Sequence, residues 1–167
     1  MSQNAPQSSD GQSASTYTLD STYQGLRSQI FDAYIQNPGK SGVWGVLMET
    51  GYPGAVATLV ALADSTASLY FSNGGGLLGS GFQEGPGKAA LSLVEHAPPF
   101  IVACRPVQTY PLPAQGHTRF YLLAEGQVFS TEAPEADLGY NRQPLSPLFH
   151  LAQNLIAEMR TLKPNWS

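Results

Sequence analysis

The chain has a single cysteine, Cys104, so neither an intrachain disulfide nor a thiolate metal cage can form. That fits a reducing compartment, and the cytoplasm is the simplest expectation. Charge is scarce as well: charged residues are 12% of 167, about half the share of an average globular domain. The net charge of −4 is spread thinly and no run of Lys or Arg occurs, which argues against nucleic acid, since phosphate neutralisation needs a basic patch. Long apolar runs are missing too. Ala55 to Ala63 is the longest and falls far short of the ~20 residues that span a bilayer, so it reads as a strand and no membrane span is expected. The opening Met-Ser-Gln-Asn-Ala-Pro-Gln has neither the basic start nor the apolar stretch of a secretory signal, and no export is indicated.

What remains is an uncharged, moderately apolar chain, 42% hydrophobic, long enough to close one core without metals or disulfides. A weakly charged surface repels copies of itself poorly, which favours a homodimer or a protein partner. Residues 1–19, rich in Ser, Gln, Ala and Gly, cannot bury enough apolar area to offset the entropy of ordering and read as a disordered tail. Residues 20–167 read as a single domain.

In that domain Ser21 and Gln24 have capping-box spacing ahead of a helix running to about Gln36, ended by Asn37-Pro38-Gly39. Val43 to Met48 and Ala55 to Ala63 form a hairpin across Thr50 to Gly54, and Ala67 to Ser72 follows as a half-buried strand. In it Ala67, Leu69 and Phe71 face one way and Ser68, Tyr70 and Ser72 the other. After a glycine-rich connection, Asn73 to Gly87, comes a short helix from Lys88 to His96, halted by Pro98-Pro99. Phe100 to Cys104 reads as a strand, and the prolines through Pro113 suit an edge strand or an irregular linker. Thr118 to Ala124 and Gln127 to Thr131 flank the hairpin signal Glu125-Gly126. Ser146 is expected to cap a last helix whose apolar stripe runs from Leu148 through Leu155 to Leu162. The order predicts an α+β fold: an antiparallel sheet of five or six strands with three helices packed on it.

No catalytic constellation emerges. Gly74, Gly76 and Gly79 match the spacing of a dinucleotide fingerprint, but no βαβ unit surrounds them. Gly85-Pro86-Gly87-Lys88 fails as a P-loop twice, with Phe82 where the first glycine belongs and Ala89 where a magnesium-binding hydroxyl belongs. Gly79-Ser80-Gly81 lacks nucleophile-elbow spacing. His96, His117 and His150 lie apart, without metal-ligand spacing, so neither metal nor cofactor is expected. Cys104 continues an apolar run and reads as a small hydrophobe, not a reactive thiol.

The element order from Ser21 to Lys163 resembles the roadblock and longin-like group of profilin-like domains, in its opening helix, its hairpin through Val43 to Ala63, its glycine loop into Lys88 to His96 and its closing amphipathic helix. The chain departs from that pattern in its third strand, Ala67 to Ser72, and in the stretch Pro98 to Pro113, which leaves room for a sensor domain of the PAS or GAF kind. The roadblock resemblance implies a non-enzymatic module, often homodimeric, acting as a scaffold or a regulator of small GTPases. The leading functional expectation is therefore a binding or regulatory module working through protein contacts. The alternative is a small-molecule sensor or carrier whose pocket mouth gathers Tyr70, Asn73, Gly74, Gly75, Gly76, Phe82 and Arg105. An enzyme ranks third.

Overall fold

The computed structural model describes residues 17–36, 42–77, 84–124 and 126–161. Helix α1 spans Ser21–Gln36 and is followed by strands β1 (Val43–Tyr52), β2 (Ala55–Leu62), β3 (Ala67–Phe71) and the two-residue β4 (Gly76–Leu77). Helix α2 (Glu84–Glu95), a 3-10 turn (Pro98–Ala103) and β5 (Arg105–Val107) come next. The chain then forms β6 (His117–Ala124), β7 (Gln127–Pro134), the short α3 (Glu135–Gly139) and α4 (Ser146–Arg160). The sheet order is β4-β3-β2-β1-β6-β7-β5, antiparallel throughout. With six strands of three residues or more and three long helices, this is the α+β architecture expected from the sequence.

Side-chain alternation divides the interior into two layers. From β1, Val46 and Met48 join Leu59, Leu69, Phe120 and Leu122 beneath α2 and α4. Leu47 lies on the opposite face with Val60, Tyr70, Tyr121 and Leu123, against Tyr23 and Phe31 of α1. Each large apolar side chain buried in this way contributes about 1.5–3 kcal/mol. Among the described residues the sheet therefore carries one long helix on one face and two on the other, with the short α3 beside them.

The elements begin and end for local reasons. Asp20, not the Ser21–Gln24 pair, caps α1: its Oδ2 accepts the N–H groups of Thr22 and Tyr23 at 3.0 and 3.2 Å. Ser146 likewise does not cap α4. Its hydroxyl accepts the Gln143 N–H at 3.2 Å, and Pro147 supplies the preset first turn. The strand expected at Phe100 to Cys104 is instead the 3-10 turn. Pro98 and Pro99 hold helical φ at its start, the Phe100 N–H reaches Ala97 O at 2.9 Å, and the Cys104 N–H reaches Ile101 O at 2.9 Å. Pro106 does lie on an edge strand, where its missing N–H costs no ladder bond.

Of the expected tail, residues 1–16 lie outside the described part. Tyr17 to Leu19 belong to the fold: the buried Tyr17 donates its hydroxyl to Pro113 O at 2.6 Å, and the Thr18 N–H reaches Gly54 O at 2.8 Å. The aromatic anchor outweighs the polar composition of the residues before it. No described helix is long and apolar enough to cross a membrane.

Candidate functional site

The densest polar cluster lies on the α1 face of the sheet. Strand register places Thr58 (β2), Glu49 (β1), Arg119 (β6) and Glu132 (β7) side by side in one row. Glu49 is fully buried, with 0% exposure, and Arg27 descends on it from α1. Arg27 donates from Nε to Oε2 at 2.6 Å and from a terminal nitrogen to Oε1 at 2.8 Å, while the Thr58 hydroxyl donates to Oε2 at 2.9 Å. This bidentate fork is the strongest geometry available to the pair. Burial by itself lowers the Arg27 pKa, but the adjacent Glu49 carboxylate more than offsets that, so the guanidinium is held firmly charged. Along the row, Arg119 donates to Glu132 at 2.9 Å and to Ser130 at 2.9 Å, and His117 Nδ1 lies 3.0 Å from the other Glu132 oxygen.

The same cluster clamps the proline-rich segment between β5 and β6. Arg27 donates to Tyr110 O at 2.8 Å, Tyr121 donates its hydroxyl to Pro111 O, and Tyr17 donates to Pro113 O. Tyr110 stacks on Phe31 with ring centroids 4.0 Å apart and planes nearly parallel at 2°. Burial first and the Glu49 charge second raise the pKa values of Tyr23 and Tyr121, so both hydroxyls stay protonated donors at neutral pH. The donors and acceptors of this cluster are thus engaged by groups of the chain itself. Chemically the arrangement braces helix, sheet and strap together.

The sequence-derived site residues do not converge. Tyr70 is buried on the α1 face. Asn73 is exposed in the β3–β4 turn, where Gly74, Gly75 and Gly76 all adopt positive φ (111°, 86° and 147°). At Gly76 a Cβ would collide with Leu69 O, so the turn requires glycine there. Phe82 lies outside the described residues. Arg105 is exposed on β5, at the opposite edge of the sheet from the glycine turn. The helix expected to start at Lys88 starts at Glu84 instead, so Lys88 is an exposed second-turn residue paired with Glu84 at 3.0 Å; Cys104 is half-buried, its thiol pushed up to about 11 by desolvation. His150 is exposed, with Nε2 2.8 Å from Asn141 Oδ1.

Two recesses on the other face were not legible as sites. One, of about 250 Å³, lies between α4 and strands β2 and β3; Ala57, Leu69, Phe71 and Ile156 are among its lining residues, with Arg160 and Tyr52 beside them. The other, of about 110 Å³, is lined by Ala103 from the 3-10 turn, Phe120 from β6, and Leu138, Pro144 and Leu145 from the α3–α4 region. Val102, beside Ala103, is 92% exposed, and Tyr140, two residues beyond Leu138, is 69% exposed with Arg142 over its ring at 5.2 Å. Compared with known proteins, the chain matches no family model, no curated protein and no solved structure.

Proposed function

We propose that this chain is a non-enzymatic binding or regulatory module, roadblock-like in the order of its elements, that acts in the cytoplasm through protein contacts and first of all by pairing with a second copy of itself. The observation that carries this reading is the exposed Val102 next to the recess lined by Ala103 and Leu138. A knob and a hole side by side suit a twofold interface, in which each copy inserts its knob into the other's hole. A volume of about 110 Å³ is on the scale of one side chain, somewhat below the ~150 Å³ cavity that takes up benzene.

Charge supports the same reading. Arg27 with Glu49, and Arg119 with the half-buried Glu132, neutralise one another on the α1 face, so an already poor complement of charges leaves fewer unpaired on the surface. A role as scaffold or GTPase regulator rests on the roadblock resemblance, an analogy of fold. Sedimentation velocity of the full chain tests the pairing. The native chain is expected to dimerise with rising concentration and Val102→Glu to remain monomeric; a native chain that stays monomeric at high concentration refutes it.

The recess between α4 and β3 favours a second reading, a small-molecule sensor or carrier, because it offers an apolar floor with polar groups at its rim, and Phe71, in its lining, ends the strand that leads to the glycine turn.

A further inference from the structure

The recess of about 250 Å³ is built by two regular elements. Gln153, Ile156, Ala157 and Arg160 line it at i, i+3, i+4 and i+7 of α4, one continuous helical stripe. Opposite them stand Leu69 and Phe71, two residues apart on β3 and therefore on the same face of the sheet. The helix is seated on the core, where its Ala152, Leu155 and Met159 are buried in one cluster with Ala90, Leu93 and Val94 of α2. The walls are thus rigid, and the space between them belongs to the fold.

The recess is chemically lopsided. Its body is aliphatic and aromatic. Its polar groups are the Arg160 guanidinium, the Gln153 amide and the Tyr52 hydroxyl. Arg160 is exposed and has no ion pair among the described residues. Tyr52, whose pKa is raised by burial and then by Glu135, stays a neutral hydrogen-bond donor. The surroundings also limit how much negative charge can be accommodated. Glu135 acts electrostatically on Tyr52, and the C-terminal end of α4 carries partial negative charge. One anionic group can be matched by Arg160; a dianion such as a phosphate monoester would meet more repulsion than attraction.

We propose that this recess binds a monocarboxylate with a compact apolar body, the body against Leu69, Phe71 and Ile156 and the carboxylate at Arg160. The size fits: a dry cavity of ~150 Å³ takes up benzene, and this one accepts a chain or ring somewhat larger. The inference rests on the small-molecule reading above and names its ligand class.

Octanoate and its neutral counterpart 1-octanol test it, titrated into the full chain and followed by amide chemical shifts. Octanoate is expected to shift the Ala57, Leu69, Phe71 and Ile156 amides saturably, with octanol binding about tenfold or more weakly, as the loss of a charge-assisted hydrogen bond implies. Arg160→Gln should remove that preference while leaving octanol unaffected. Ala157→Trp, at an exposed helix position, should fill the recess and abolish binding of both, with resonances elsewhere unchanged to show that the fold persists. Equal binding of octanol and octanoate, both blocked by Ala157→Trp and indifferent to Arg160→Gln, would overturn the carboxylate class and leave the recess as a small-molecule site. No shift with either probe, or shifts that Ala157→Trp does not block, would overturn both.

Discussion

Replacing Glu49 by Gln probes the brace at its centre. The substitution keeps the shape and one acceptor oxygen, but it removes the charge that balances Arg27, whose side chain is only 14% exposed. Breaking a buried ion pair from one side costs about 3–5 kcal/mol because the remaining charge is left uncompensated. Arg27 keeps its bond to Tyr110 O and some contact with water, so the lower end of that range applies, ~3 kcal/mol. Equilibrium urea unfolding reads this directly: with a slope of about 2 kcal/mol per M, the midpoint should fall by about 1.5 M. The double variant Arg27→Met, Glu49→Leu should recover most of the loss, to within about 1 kcal/mol of the native chain, since apolar pairs of similar volume often replace buried ion pairs at little cost. A loss below about 1 kcal/mol for Glu49→Gln alone would mean that the pair is hydrated and contributes little, contrary to the buried brace.

Gly51→Ala should destabilise by about 1–3 kcal/mol, because the added Cβ would press on the Tyr17 hydroxyl and on the backbone at Ala114, 2.6 Å away; thermal unfolding checks it. At alkaline pH stability should fall. Cys104 rises in the folded chain from 9.0 to about 11, and Tyr23 and Tyr121 are raised from 10.0, so the unfolded chain releases these protons first. Their contribution is intact below pH 9 and is lost as pH climbs from there, so urea midpoints should be flat from pH 7 to 9 and drop beyond it. Alkylation of native Cys104 by iodoacetamide at pH 8 should run about 100-fold slower than in the unfolded chain, two pKa units in thiolate fraction, as mass spectrometry over time can show.

Much of the frame is legible in the residues themselves. The alternation of Ala67, Leu69 and Phe71 against Tyr70 assigns each to its face, and the hairpin read from the sequence between Ala124 and Gln127 matches the pairing of those two residues at the end of β6 and the start of β7. Phe100 to Ala103 misleads because four β-favouring or small apolar residues follow two prolines, and the preset φ decides the geometry. The brace leaves only a faint trace. Strand register brings Glu49, Arg119 and Glu132 into one row, and the packing of α1 on that face brings Arg27 to it from another part of the chain. Its one local signal is Glu49 itself, a lone charge inside the strand that begins Val43 to Met48. A buried carboxylate there implies a cation from elsewhere, though not which one. Arg105 and the glycine turn illustrate the converse: adjacency inferred along the chain fails because sheet order sends them to opposite edges.

The most direct test of the account is amide hydrogen exchange of the native chain at low and high protein concentration. Pairing through the Val102 knob and its neighbouring recess predicts added protection at high concentration in residues 98–104 and 138–145, with the braced α1 face unchanged. Protection that does not depend on concentration, or that rises only along α1, would contradict it.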